Sequence, residues 1–269
     1  MRGALVTGGT SGIGLSFARA LAREGRPLVL VARDQTRMDE VAAGLAAEFG
    51  VAVECLVADL SDPFQQELVA ARLARGDIAT LVNNAGFSLK TPIVGGDAAL
   101  ADSAWQVMGR APRVLAAAAA AAMLAAAPEP GESRGQIITI ASASALTRQD
   151  TYSALKTYAL ALTEVLAGEL HGTGITVTAV LPGWTRTEFH RRGRQGSSSI
   201  PDFLWLDPDR VAADALRDVR RRRVISVPSR RYRVLTGVLN ILPGGAVRAV
   251  SRALGRHRKR DRTAVGGDS

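Results

Sequence analysis

Cysteine, lysine and aromatic residues are scarce in this chain, and each scarcity excludes something. One cysteine in 269 residues cannot form an internal disulfide or supply a cysteine-clustered structural zinc site. A lone thiol suits a reducing compartment, which gives a cytoplasmic reading. No secretory leader is expected, because Met1-Arg2-Gly3 runs straight into Ala4-Leu5-Val6 and a glycine loop. The longest uncharged run of helix formers, Val114 to Ala127, is mostly alanine and shorter than the roughly 20 apolar residues of a bilayer span. What is present is ample apolar material, 47% of the chain, so disorder and a stapled miniature scaffold are excluded as well.

Charge is also unevenly spread. The chain carries 34 Lys and Arg against 25 Asp and Glu, a net +9, yet its only lysines are Lys90, Lys156 and Lys259. Each lysine therefore raises the question of why arginine would not serve. From Arg217 to Arg262 there are 15 bases and two acids, a local charge of +13, which leaves −4 on the remainder. The excess belongs to the C-terminal end and says little about the body.

Short β-branched runs alternate with helical spacing as far as about Val180. Expected strands are Ala4 to Thr7, Leu28 to Ala32, Val51 to Val57, Thr80 to Asn83, Gln136 to Ile140, Ile175 to Leu181 and Val224 to Val227. Helical segments between them include Ile13 to Glu24, Arg37 to Phe49 and Tyr158 to His171. This alternation predicts an α/β fold, a doubly wound Rossmann-type parallel sheet of about seven strands with helices on both faces. No repeat or linker interrupts residues 1–228, which read as a single domain. Asp207-Pro208 should open a helix running to about Arg222, with Asp207 as N-cap. Basic amphipathic helices are expected over 229–256 and a disordered polar tail over 257–269.

Thr7-Gly8-Gly9-Thr10-Ser11-Gly12-Ile13-Gly14 lies between the first strand and the first helix. Glycines there permit a sharp turn and let backbone N–H groups approach a phosphate at the helix N-terminus, where the dipole favours negative charge. A purely structural turn would also use glycine, so the loop alone decides little. Asp59-Leu60 after the third strand, Asn83-Asn84-Ala85-Gly86 after the fourth, Ser142 after the fifth, Tyr152-x-x-x-Lys156, and Pro182-Gly183 after the sixth complete an ordered set. With the Thr-Gly-x-x-x-Gly-x-Gly spacing, that set resembles the short-chain dehydrogenase/reductase family over residues 1 to about 190, and the remainder only loosely.

The resemblance implies a nicotinamide cofactor lying across the C-terminal ends of the strands. Gly8, Thr10, Ser11, Gly12, Ile13 and Gly14 would form its phosphate loop, and Asp59 and Leu60 would meet the adenine. Asn83, with Ala85 and Gly86 of the same segment, would meet the adenosine ribose, and Pro182, Gly183 and Thr185 would lie at the nicotinamide end. Arg33 ends the second strand, where no acid stands to hold a ribose diol. Its planar guanidinium suits a 2′-phosphate, so NADP(H) is the expected cofactor, unless Arg33 is a plain surface arginine.

Tyr152 and Lys156, four apart, share a helix face. A nearby ammonium should favour the phenolate and let the hydroxyl exchange a proton with an alcohol or ketone near neutral pH. A compact ammonium can also hydrogen-bond the nicotinamide ribose, where a guanidinium would differ in geometry. By the resemblance, Tyr152 is the general acid/base and Ser142 polarises the substrate oxygen, with Ser144 the competing choice. The family's fourth catalytic residue, an asparagine of the long central helix, falls on Met108, whose thioether cannot reproduce its hydrogen bonds. Two functions therefore stay open. One is an NADP(H)-dependent oxidoreductase moving hydride between nicotinamide and a hydrophobic ketone or secondary alcohol, a ketoacyl lipid being one candidate. The other is an NADP-binding protein with impaired or no catalysis. No metal site is expected.

Four of the 12 aromatics, Trp184, Phe189, Phe203 and Trp205, fall in the expected substrate loop, residues 184–206. They suit a small hydrophobic carbonyl or alcohol substrate, or else they cover a satellite core. The alanine-rich helix offers either a homo-oligomer contact, in a dimer or tetramer, or plain core packing. Tyr232, Leu235, Val238, Leu239 and Leu242, then Val247, Val250 and Leu254, form apolar faces beside arginines. Two docking surfaces fit those faces: an anionic membrane, contacted peripherally, or protein, whether this chain's body or a second subunit. No base-reading motif accompanies the charge, so nucleic acid is not expected.

Overall fold

Runs of Val, Ile and Leu form seven strands: β1 (Gly3–Thr7), β2 (Leu28–Ala32), β3 (Val53–Val57), β4 (Ile78–Asn83), β5 (Gly135–Ile140), β6 (Ile175–Val180) and β7 (Ile225–Ser226). The structure, a computed structural model, describes residues 1–89, 91–127, 133–147, 149–187 and 202–241, with the backbone alone at 235 and 238–241. The strands make one sheet in the order β3-β2-β1-β4-β5-β6-β7, every neighbouring pair parallel. Helices α1 (Gly12–Arg23), α2 (Gln35–Phe49), α3 (Pro63–Leu73), α4 (Ala98–Trp105), α5 (Ala111–Ala125), α6 (Thr151–Glu169), α7 (Pro208–Arg220) and α8 (Arg230–Ile241) surround it.

Because side chains alternate across a strand, successive residues feed two cores. Leu5, Leu81, Ile137 and Val177 meet α3, α5 and α6 through Leu73, Leu115 and Leu155. Val6, Val82, Ile138 and Val180 meet α1, α2 and α7 through Phe17, Met38 and Leu216. The doubly wound fold expected from the sequence is the fold observed. Strand order reverses between β1 and β4, and a crevice opens there beyond the strand C-termini.

Several boundaries moved for local reasons. α6 starts at Thr151 rather than Tyr158, because Asp150 and Ser153 cap it reciprocally: Asp150 Oδ1 accepts from Ser153 N at 2.8 Å and Ser153 Oγ accepts from Asp150 N at 2.9 Å. Tyr152 and Lys156 thus occupy its first two turns. Asp207 caps α7 as expected, accepting from Arg210 N at 3.0 Å. α4 and α5 are joined by a π-helical turn, Gln106–Arg110, into one helix of 28 residues, Ala98–Ala125. Pro112 has no N–H for the Met108 carbonyl four residues back, and the helix widens at that point. By length and composition alone this helix could cross a bilayer, which the alanine run by itself did not suggest. More than half of its most apolar stretch is buried in the fold, with Leu115, Ala119 and Met123 in the core.

Candidate active site

A cleft of about 950 Å³ follows the C-terminal ends of the strands and gathers most of the residues singled out in the sequence. Gly8 and Gly12 have φ of +64° and +52°, in the left-handed region where a side chain is strained. Gly14 lies below the loop rather than on the cleft: a Cβ there would collide with the Gly8 carbonyl and the Asn84 amide. Asn84 ties the loop to β4, its Nδ2 donating to Thr7 O at 2.9 Å and Gly8 O at 3.2 Å. Thr7 Oγ1 accepts from Asn84 N at 2.9 Å and Ala85 N at 3.0 Å. Asn83, expected by the resemblance at the adenosine ribose, is not among the residues that line the cleft. Its side chain is buried and donates to Pro112 O at 3.3 Å, while its neighbour Asn84 lines the cleft.

At the end of β2, Arg33 is largely exposed, with its guanidinium 3.9 Å from Asp59 Oδ2. The adjacent acid, Asp34, is committed to capping α2, accepting from Arg37 N at 3.1 Å. Arg37 also lines the cleft and donates from Nε to Thr10 O at 3.2 Å, which places a second guanidinium beside the glycine loop. Sequence reading missed Arg37; its position one turn inside a helix capped by Asp34 was the available signal. Asp59 is held by Ser61, whose N and Oγ donate to Asp59 Oδ1 at 2.9 and 2.8 Å, and Leu60 lines the cleft beside it.

Ser142, Tyr152 and Lys156 meet where β5 ends against the first turns of α6. Ser142 caps a 3₁₀ turn, Ala143–Leu146, and its Oγ accepts from Ser144 N at 3.1 Å and Ser144 Oγ at 2.9 Å. The Tyr152 hydroxyl hydrogen-bonds Ser142. Lys156 is buried, donates from Nζ to Ile140 O at 2.8 Å, and lies 5.7 Å from the centre of the Tyr152 ring. The electrostatics differ from the expectation of a phenolate favoured near neutral pH. Burial raises Tyr152 above the ordinary phenol range, reinforced by the negative charge of Asp150 and only partly opposed by Ser142. Burial lowers Lys156 to about 8. Met108 is fully buried, and a Cβ on Gly86 would lie 3.2 Å from its Sδ and 3.8 Å from Lys156 Nζ.

On the opposite wall, Pro182, Gly183, Trp184 and Thr185 line the cleft together with Tyr232 and Thr236 of α8, two residues not anticipated there. Thr185 pairs with Leu206 in an isolated parallel bridge. Of the loop aromatics, Trp184 reaches the cleft and packs at a tilt against Trp205, ring centres 6.1 Å apart, whereas Phe203 is exposed under the Arg231 guanidinium. Phe189, Lys90 and the expected helix residues from Leu242 onward lie outside the described residues. Among the described residues no cluster of His, Cys, Asp and Glu could hold a metal ion.

The short chain dehydrogenase family model matches residues 2–197. A Streptomyces violaceoruber protein named "Granaticin polyketide synthase putative ketoacyl reductase 1" is 39% identical over 202 residues, 73% of this chain and 72% of its own length. A short-chain dehydrogenase from Sphingobium yanoikuyae, solved in complex with NADPH, superposes with a TM-score of 0.78 at 33% identity, covering 90% of this chain and 96% of that one. The bulky-bulky ketone specific alcohol dehydrogenase from Comamonas testosteroni gives 0.74 at 31% identity, covering 91% and 96%. The match over most of the sheet, in sequence and in topology, means that this chain belongs to the short-chain dehydrogenase/reductase family.

Proposed function

We propose that the protein is an NADP(H)-dependent oxidoreductase that interconverts a hydrophobic ketone and its secondary alcohol. The observation that carries this reading is the convergence of Ser142, Tyr152 and Lys156 with the glycine cradle in one cleft. The cradle fits a dinucleotide, since Cβ atoms at Gly8 and Gly12 would fill it and would sit within 3.0 Å of Asn84 Nδ2 and 2.9 Å of Thr187 Cγ2. Arg33 and Arg37 offer two guanidiniums for a 2′-phosphate, and the NADPH-bound neighbour agrees with that choice. When bound, such a cofactor supplies or accepts the hydride.

The chain's own residues handle the proton. Tyr152 keeps its proton in the resting state and so stands ready to donate it to a carbonyl oxygen. Ser142, whose oxygen accepts from both Ser144 groups, has its own proton left to donate, to Tyr152 or to a substrate oxygen beside it. This arrangement supports Ser142 over Ser144 as the polarising group. Lys156 remains charged at neutral pH and favours the phenolate that forms as Tyr152 gives up its proton.

Phe87, Leu89, Val107 and Trp184 on the cleft walls favour an apolar substrate, and the ketoacyl reductase and bulky-ketone relatives point the same way. The outward face of α5, with Ala117, Ala121 and Leu124 exposed, suits a contact with a second copy of the chain, which light scattering would detect as a dimer or tetramer. The test of the function is NADPH oxidation across ketones of increasing apolar size, with NADH in parallel. Consumption should favour NADPH and the bulkier ketones; none across the panel would overturn the reading. Tight NADPH binding without turnover would instead favour the second reading, a nonenzymatic binder, whose support is Met108 at the fourth catalytic position.

A further inference from the structure

We propose that Tyr232 is a positioning residue that sets the Gly183–Thr185 wall of the cleft, so that α8 is a working part of the substrate site rather than an appendage. The inference deepens the oxidoreductase reading and rests on it. The Tyr232 hydroxyl accepts from Trp184 N at 3.1 Å and donates to Leu204 O at 2.9 Å, tying together two segments that are 20 residues apart in the chain. Those segments also pair with each other, Leu206 N donating to Trp184 O at 2.7 Å and Arg186 N to Leu206 O at 3.0 Å. Arg231, next to Tyr232, donates to Phe203 O at 2.8 Å.

The ring acts as well as the hydroxyl. A Cβ on Gly183 would run into the Tyr232 ring, although the Gly183 backbone is not in the left-handed region and would itself admit alanine. Tyr232 therefore occupies the side-chain space of Gly183 and fixes how far that backbone can move toward α8. One turn later Thr236 is buried on the same cleft, its hydroxyl returned to Tyr232 O at 2.8 Å. The side of α8 that carries these two residues is therefore spent on the protein body and is closed to a bilayer.

A double-mutant cycle tests this, read by NADPH affinity in fluorescence titration and by ketone KM and kcat. Gly183→Ala alone should weaken NADPH binding about tenfold, because the new methyl meets the ring. Adding Tyr232→Ala removes the obstacle and should recover at least a third of that loss, a coupling that general destabilisation does not produce. Tyr232→Phe, which keeps the ring and should fold normally, should raise ketone KM roughly three- to tenfold with kcat changed less. The proposal is overturned if the double variant binds NADPH no better than Gly183→Ala, or if Tyr232→Phe leaves KM unchanged. Should the NADPH cycle behave as stated while wild type reduces no ketone, Tyr232 keeps its role at this wall and the oxidoreductase reading is what fails.

Discussion

The two walls of the cleft are held by different kinds of contact. The wall of residues 8–13, 33–37 and 84–86 rests on local backbone geometry: positive φ at Gly8 and Gly12, the Asp34 cap, and side-chain bonds from Thr7 and Asn84 to adjacent loops. The wall of residues 183–185 is held from afar, by Tyr232 nearly 50 residues later and by the pairing with Leu206. Local geometry ties a residue type to a position, because few side chains satisfy a left-handed turn or a helix cap. Distant packing constrains mainly shape, and many sequences can supply the same shape. The wall of residues 8–13, 33–37 and 84–86 therefore carries several recognisable motifs, whereas the opposite wall carries only Pro182-Gly183.

That contrast can be broken most severely at Gly14. Gly14→Ala forces a methyl into the Gly8 carbonyl, which cannot retreat without opening the loop, and should cost about 3 kcal/mol or more of stability by denaturant unfolding. An unfolding midpoint equal to wild type would mean that the loop is less rigid than its glycines imply.

The next effect concerns Lys156. Burial lowers it from 10.5 to about 8 in the folded chain. Between those values the unfolded chain binds the additional proton, so this group makes stability rise with pH. Its burial cost is fully present below pH 8 and gone above 10.5. Lys156→Met should flatten that rise and stabilise the protein at pH 7 by up to about 3 kcal/mol, while abolishing most turnover. A pH–stability curve unchanged by the substitution would contradict the burial cost assigned to this lysine.

Met108→Asn probes the buried position behind Gly86. Placing an amide in this fully buried site should cost about 1–3 kcal/mol, and kcat should rise if the missing asparagine limits proton supply. An unchanged kcat would show that protons do not travel past this position. The smallest effect is expected at Arg33, which is exposed and shares its task with Arg37. Arg33→Asp should weaken NADPH binding about tenfold and narrow the preference over NADH. An unchanged preference would assign the 2′-phosphate to Arg37 alone.

Apolar runs revealed the inner strands because they are buried on both faces, as in Leu28-Val29-Leu30-Val31, whereas the edge strand β3, with no fully buried residue, was marked by its valines and leucine alone. It misplaced the start of α6, where the signal was a capping pair, Asp150 and Ser153, rather than an apolar stripe. In Asn83-Asn84 the two side chains do different jobs, and only their contacts with Pro112 and Thr7 tell them apart. The titration behaviour of Tyr152 was misread because the sequence shows a lysine four residues away but not the burial that outweighs it. Tyr232 stood out in the sequence only as one apolar residue among arginines, since nothing in the sequence links it to Trp184, beside Pro182-Gly183, or to Leu204.

Tyr152 is proposed to deliver the proton within an NADPH-dependent reduction. This role is tested most directly by a single-turnover measurement of NADPH oxidation with a bulky ketone, comparing wild type with Tyr152→Phe at matched cofactor saturation. The variant should bind NADPH within about twofold of wild type and reduce the ketone about 10²- to 10⁴-fold more slowly. A variant that turns over at the wild-type rate would contradict that role.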